Sequence, residues 1–174
     1  MKGDHVKILE KQDVQARIKR IAFEIYENNF QEESLILIGA DERGDFIAEL
    51  LQAHLLEISP LKIELWHASF DKKDRQGRGG RMQVNFSHEL NVLAGKNVVI
   101  VDDVLYSGNT MLHLVAPLLE VMPNKIEVAV LIDRGHRNMP ISPNYVGLEL
   151  ATTIHQVVAV EVDFEERFIE AYLV

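Results

Sequence analysis

Apolar residues recur at a helical interval from Gln12 to Asn29, where Val14, Ile18, Ile21, Ala22 and Ile25 fall on one side of a 3.6-residue repeat. The next apolar stretch has a different rhythm. Ser34-Leu35-Ile36-Leu37-Ile38-Gly39 is short and continuous, the pattern of a strand covered on both faces. A polar turn, Ala40-Asp41-Glu42-Arg43-Gly44, leads into a second helical repeat over Asp45 to Leu56, marked by Phe46, Ile47, Leu50, Leu51 and Leu55. Strands are predicted over Lys62 to Ala68, Val98 to Val101, Ile126 to Ile132, Val157 to Val162 and Phe168 to Leu173. Met111 to Val121 is helical in pattern, with Pro117 predicting a bend or an early stop. Strands alternating with helices predict crossover units, hence an α/β fold with a mainly parallel central sheet flanked by helices.

Two segments break the alternation. Asp71 to Asn97 is long, polar and rich in Gly and Arg, as expected of a lid over a functional site. After Arg134 the chain reads as turns and short strands, punctuated by Pro140 and Pro143, and is expected to form a small cap over one end of the sheet. The 174 residues are most simply one domain, 1–174, with a lid at about 71–97 and a cap at about 134–174.

Composition narrows the chemistry. With 47% apolar and 26% charged residues the chain has the make-up of a soluble globular protein. No cysteine is present, which excludes disulfides, thiolate catalysis and Cys-ligated zinc. No apolar run approaches the roughly 20 residues of a membrane span, and the first residues lack a signal-peptide core, so a cytoplasmic location without a membrane partner is expected. The net charge of −9 argues against a broad nucleic-acid surface, DNA included, while leaving room for the basic patch Lys72 to Arg81.

The stretch VVIVDDVLYSGNT, Val98 to Thr110, joins a buried strand to two carboxylates and then to a turn of small residues. In open parallel sheets, ligands bind beyond the carboxyl ends of the strands. There Tyr106 to Thr110 bring a Gly, two hydroxyls and the start of a helix, whose free N–H groups suit a phosphate. Carboxylates placed just before that turn would repel the phosphate, so they should face another part of the ligand, such as vicinal sugar hydroxyls. Taken alone, Asp102 and Asp103 read equally as a Mg²⁺ site or an ordinary strand end; it is the whole element that points to a phosphorylated sugar. Neither GxxxxGK[ST] nor GxGxxG occurs, which disfavours a Walker-type or dinucleotide site.

This element resembles the phosphoribosyl-diphosphate motif of type I phosphoribosyltransferases. The resemblance is closest to the bifunctional pyrimidine-operon attenuator / uracil phosphoribosyltransferase family. It extends through ILEKQDVQARIKRIAFEIYENN, GADERGD and the more family-specific AVLIDRGHRNMPISPNYVG. It implies Mg²⁺-dependent transfer of the 5-phosphoribosyl group from phosphoribosyl diphosphate to a base, uracil in the closest family, with release of diphosphate. By the resemblance, Asp102 and Asp103 hold the ribose hydroxyls and share the metal with Asp163, although an exposed acid at a strand end reads almost equally for Asp163. Ser107, Gly108, Asn109 and Thr110 would cradle the 5′-phosphate. Ala40 and Gly44 would meet the diphosphate through backbone N–H groups, with Arg43 and Arg137 as its cations. Tyr106 and Val157 would border the base. Tyr106 is no carboxylate base near neutral pH, which favours a pyrimidine over a purine. Relatives form dimers and larger assemblies, so a homo-oligomer is expected.

Three departures from the family pattern stand out. Glu42 replaces a Thr in the diphosphate loop, and Ser69 stands where an Arg is expected, with Arg75, Arg78 or Arg81 as replacements. These motivate an alternative reading, a nucleotide-sensing regulator of pyrimidine genes with weak or no catalysis. Third, Gln15, Ala16, Phe23, Ser142, Leu148 and Ile154 occupy positions where RNA-binding members carry Arg, His or Lys, so RNA attenuation is not expected. The seven histidines show no metal-ligand spacing; His67 alone is a candidate to line the site.

Overall fold

The computed structural model describes residues 5–70, 82–151 and 156–174. Its elements in chain order are β1 (Val6–Leu9), α1 (Lys11–Asn29), β2 (Ser34–Ala40), α2 (Asp41–Ile58), β3 (Lys62–Phe70), β4 (Val84–Phe86), β5 (Asn97–Leu105), α3 (Asn109–Leu119), β6 (Lys125–Asp133), β7 (Tyr145–Glu149), β8 (Val158–Asp163) and β9 (Phe168–Leu173). A six-stranded sheet runs β4-β3-β2-β5-β6-β7, parallel except for β4. This is the α/β architecture the alternating pattern predicts.

Period-two alternation in the central strands feeds two apolar layers. Leu35, Leu37, Val99, Val101 and Leu131 meet Ile18, Ile21 and Ile25 of α1 and Leu51 and Leu55 of α2 on one face. Ile36, Ile38, Val98, Ile100 and Val128 meet Met111, Leu114 and Leu118 of α3 on the other. Both faces are dry, so β2 and β5 read as continuous hydrophobic runs rather than alternating ones. α3 ends at Leu119, two residues beyond Pro117 and two short of the expected Val121. The proline removes one helical donor and crowds the preceding turn.

The order of the strands creates the site. From the central β2 the chain moves out to β3 on one side, then crosses to β5 on the other. The connections therefore diverge above the ends of β2 and β5, leaving a crevice there, the usual ligand position in an open α/β sheet. The close fit of α2 onto β2 depends on Gly39. A Cβ at that position would lie 2.4 Å from the Asp45 Cα and 2.3 Å from its Oδ1. Gly39→Ala is expected to destabilise the protein by about 1–3 kcal/mol through overpacking, measurable as a lower midpoint in urea with an unchanged m-value.

The second sheet is antiparallel, in the order β1-β9-β8. It redraws the expected cap. β7, inside the 134–174 segment, joins the main sheet, while β1 pairs with β9 and brings the N-terminal segment into the small one. The tip of the β8–β9 hairpin rests on α2. Phe164 meets Phe46 edge-on at 5.6 Å, and Arg167 lies over the same ring and pairs with Glu49 at 3.1 Å. Of the expected lid, residues 71–81 lie outside the described residues, together with Arg75, Arg78 and Arg81. The rest contains β4 and a 3₁₀ turn at Leu90–Leu93.

α1 covers the outer side of β7. Arg17 Nη1 donates to the Gly147 carbonyl at 2.6 Å, and Arg20 Nη2 donates to the Val146 and Gly147 carbonyls at 2.9 Å each. Guanidinium groups on an edge strand's free carbonyls block its pairing with another chain. Arg20 is thereby engaged within the fold, and it also pairs with Glu24 at 2.6 Å.

Candidate active site

A cleft of about 800 Å³ opens at the carboxyl ends of β2, β3 and β5. Several elements build its floor and walls. The end of β2 supplies Ala40, and the first turn of α2 supplies Asp41, Glu42, Arg43 and Asp45. The end of β3 supplies His67, Ala68, Ser69 and Phe70. β5 and the turn beyond it supply Asp102, Asp103, Val104, Tyr106, Asn109 and Thr110, and Val158 of the small sheet closes the side.

The segment expected as a polar turn before α2 is the first turn of the helix itself. Its entry is unusual, because Asp41 has φ +53°, a left-handed conformation that costs a non-glycine residue energy and recurs at ligand clamps. Helix α2 therefore begins at the cleft with its unpaired N–H groups at that end. Gly44 is buried against the Val101 carbonyl and the Asp102 backbone, beneath the cleft rather than lining it.

Asp102 and Asp103 belong to β5, one strand position apart, so their side chains leave the backbone in different directions. Asp102 Oδ1 accepts from the Asp103 N–H and Asp103 Oδ1 from the Val104 N–H, each at 2.8 Å. Asp103 Oδ2 lies 3.3 Å from Arg43 Nη1, an ion pair across the mouth of the cleft. Among the described residues Asp102 has no such ion pair. Burial holds its carboxyl well above the ordinary carboxylate range, and the Asp103 charge pushes it further.

That shift predicts a stability effect. A carboxyl whose folded-state pKa is raised stabilises the fold when protonated and loses that contribution as pH rises through the raised value. Asp102→Asn, which keeps the acceptor for the Asp103 N–H, is therefore expected to melt higher than the parent at neutral pH. Each kcal/mol of relief corresponds to about 2–4 °C in a chain of this size. The difference should shrink as pH falls from the raised value toward the ordinary 3.8, and differential scanning calorimetry between pH 7 and pH 4 checks both points.

Beyond β5 the chain turns through Ser107 and Gly108 into α3. Gly108 is the N-cap residue with φ +82°. A Cβ there would also meet Ile141 Cγ2 at 2.6 Å. The following loop is tied to this turn, for the Asn138 and Met139 N–H groups both donate to the Ser107 carbonyl, at 3.0 and 3.1 Å. Asn109 N–H turns back to Ser107 Oγ at 3.3 Å. Tyr106 donates its hydroxyl to the Val158 carbonyl and stacks under the Arg134 guanidinium at 4.8 Å. Burial raises its pKa, against the pull of that hydrogen bond, so the phenol stays neutral.

The cleft thus gathers Ala40, Arg43, Asp102, Asp103, Tyr106, Asn109 and Thr110. Other expected residues lie elsewhere. Arg137 is ion-paired to the buried Asp133 on the loop that holds Ser107. Val157 is 49% exposed and pairs with Val174 through the backbone; its neighbour Val158 is the one at the cleft. Asp163 Oδ1 accepts from the Glu165 and Glu166 N–H groups at 3.0 and 2.8 Å, fastening the β8–β9 turn away from the cleft-lining residues. A hydrophobic-pattern reading had no signal for Asp45, which reaches His67 Nδ1 at 2.9 Å from another element.

Residues 5–165 match the family model of the phosphoribosyl transferase domain. The chain belongs to that family. This phosphoribosyltransferase is 33% identical over 168 residues to the Bifunctional protein PyrR of Fusobacterium nucleatum, covering 93% of this chain and 95% of the relative. It is 38% identical over 162 residues to the Bifunctional protein PyrR of Deinococcus radiodurans, covering 88% and 86% of the two chains. Among solved structures it is similar to a hypoxanthine-guanine phosphoribosyltransferase of Bacillus anthracis, with TM-score 0.75 and 19% identity over 97% of this chain and 98% of the other. That last likeness concerns the fold alone.

Proposed function

We propose that this enzyme transfers the 5-phosphoribosyl group of phosphoribosyl diphosphate to uracil, as the cytoplasmic salvage reaction of a pyrimidine base. The observation that carries the reading is the pairing, at one sheet switch point, of two acids on β5 with the amide-rich start of α3. One element can then grip the ribose diol while the next receives the terminal phosphate, which fixes the reacting C1′ between them.

In this reading Asp102 and Asp103 accept from the two ribose hydroxyls, and Ser107, Gly108, Asn109 and Thr110 hold the 5′-phosphate. The bond from C1′ to the diphosphate oxygen breaks with both electrons leaving on the oxygen, and the bond from C1′ to the base nitrogen forms as that nitrogen loses its proton to solvent. Ala40 and the first turn of α2, with Arg43, receive the departing anion. Arg43 pairs with Asp103 across the cleft mouth, so ligand entry exchanges partners: the diol takes Asp103 while the diphosphate takes Arg43. Arg137 is committed to Asp133, and its part is to brace the loop behind Ser107. Tyr106 offers its ring face to the base beside the Val158 backbone.

Mg²⁺ fits the donor set. Among the described residues no three His, Asp or Glu side chains form a metal cage. Mg²⁺ needs none, since it binds one or two carboxylates together with substrate phosphates. The like-charged pair Asp102 and Asp103, with burial raising Asp102, is the acidic edge such a cation would relieve. The ion would supply charge neutralisation to the leaving diphosphate.

The test is diphosphate release from phosphoribosyl diphosphate and Mg²⁺ across uracil, cytosine, hypoxanthine, guanine and adenine. Release with uracil, accompanied by uridine monophosphate, is expected. Saturable binding of uridine monophosphate without release for any base selects the second reading, a nucleotide-sensing regulator. Glu42 and Ser69 at the cleft favour that alternative, for they put a carboxylate and a neutral hydroxyl where the resemblance implies Thr and Arg.

A further inference from the structure

The charge of the cleft does not suit its proposed ligand without help. Asp41, Glu42, Asp45, Asp102 and Asp103 line it, against a single always-charged side chain among the described lining residues, Arg43. A diphosphate group carries several negative charges into that surface. At the β3 wall, where the resemblance implies an arginine, Ser69 has nothing to offer beyond a hydroxyl.

Two residues before Ser69, on the same face of β3, stands His67. β3 alternates, so His67 and Ser69 point to the same side of the sheet. The imidazole is held rather than adrift. Its Nδ1 lies 2.9 Å from Asp45 Oδ1 on the first turns of α2. Its backbone is fastened on both sides by Ser87, whose Oγ accepts from the His67 N–H at 2.9 Å and whose N–H donates to the His67 carbonyl at 2.9 Å. Gly39 is the register partner of His67 across the β2–β3 ladder, and its missing side chain leaves the space that the Asp45 carboxylate occupies. With Nδ1 turned to Asp45, Nε2 is the ring atom that remains for a ligand, and the side chain is 55% exposed at the cleft.

We propose that His67 is the second diphosphate-recognising side chain of this enzyme beside Arg43, positioned by Asp45 at the wall where position 69 carries no arginine. The inference rests on the reading of the cleft as a phosphoribosyl-diphosphate site and adds to it a residue outside the binding motifs. His67 touches the diphosphate through Nε2; Asp45, 2.9 Å from Nδ1, is a positioning residue that sets which way the ring faces. An imidazole with a carboxylate at one nitrogen presents the other in a defined direction, where a lysine would be a mobile point charge.

The test compares ligands with and without the diphosphate. Isothermal titration of the wild-type enzyme with phosphoribosyl diphosphate, inorganic diphosphate and uridine monophosphate, all with Mg²⁺, sets the reference. His67→Gln is expected to weaken phosphoribosyl diphosphate and inorganic diphosphate at least 10-fold and to leave uridine monophosphate within 2-fold. His67→Arg should restore the first two to within about 3-fold of wild type. Asp45→Asn should fall between, raising KM for phosphoribosyl diphosphate more than it lowers kcat. Equal affinities in wild type and His67→Gln would overturn the proposal, as would equal losses for all three ligands, the mark of a merely structural role. Failure of the wild-type enzyme itself to bind phosphoribosyl diphosphate would instead sink the reading of the cleft.

Discussion

Asp103→Asn is expected to lower kcat/KM for phosphoribosyl diphosphate by about 100-fold, or about 2.7 kcal/mol of transition-state stabilisation, with the circular dichroism spectrum and melting profile of a folded protein. The carboxylate has two tasks in the structure. Oδ1 caps the Val104 N–H and Oδ2 faces Arg43. An asparagine keeps one acceptor for the backbone and loses the charge, so the fold survives while the sugar contact weakens. Hydrogen bonds to charged groups contribute about 1.5–3 kcal/mol each, roughly twice a neutral pair, and the variant also frees Arg43 from its only ion-pair partner among the described residues. The comparison of kcat/KM with binding of uridine monophosphate, which retains the diol, checks the assignment: both should fall. Wild-type affinity for the nucleotide in this variant would remove Asp103 from the sugar site.

Gly108→Val should have a comparable effect through geometry alone. At φ +82° a β-branched side chain is strongly disfavoured, and its first carbon would come within 2.6 Å of Ile141 and 3.4 Å of Met139. The turn can respond only by moving the Ser107 carbonyl or the loop fastened to it by Asn138 and Met139. Either movement displaces the first N–H groups of α3, and a displacement of about 1 Å at a positioning group can cost about 100-fold in rate. The expected result is loss of binding for every ligand bearing the 5′-phosphate, with uracil alone unaffected. Titrations with uridine monophosphate and ribose 5-phosphate report it directly. Retained affinity for both would place the phosphate elsewhere.

Much of the element order was legible before the structure, for a local reason. Strands buried on both faces, such as Leu35 to Ile38 and Val98 to Val101, and an amphipathic helix such as α1 carry their periodicity within a single window of sequence. The short or half-exposed strands β1, β4 and β7 escaped. Each is stabilised by a partner far away in the chain: β1 by β9, β4 by β3, β7 by β6 and the arginines of α1. The boundaries also shifted where the tertiary contact decides. α2 starts at Asp41 rather than Asp45, and β5 runs on through the two acids to Leu105.

The element proposed to hold the phosphosugar could be picked out because its residues are contiguous. Val98 to Thr110 holds the strand, the acids, the glycine and the helix start in one run, and covalent connection alone keeps them within reach of one ligand. Everything that depends on two distant segments was settled only when the sheet assembled. The 2.9 Å meeting of Asp45 with His67, the Arg43–Asp103 pair across the mouth, the commitment of Arg137 to Asp133 and the choice of Val158 over Val157 at the cleft all follow from strand order and side-chain direction. A sequence carries the local hydrophobic rhythm and the identity of each charge. Which charges face one another is set by how the crossovers stack the strands, and only the folded chain contains that arrangement.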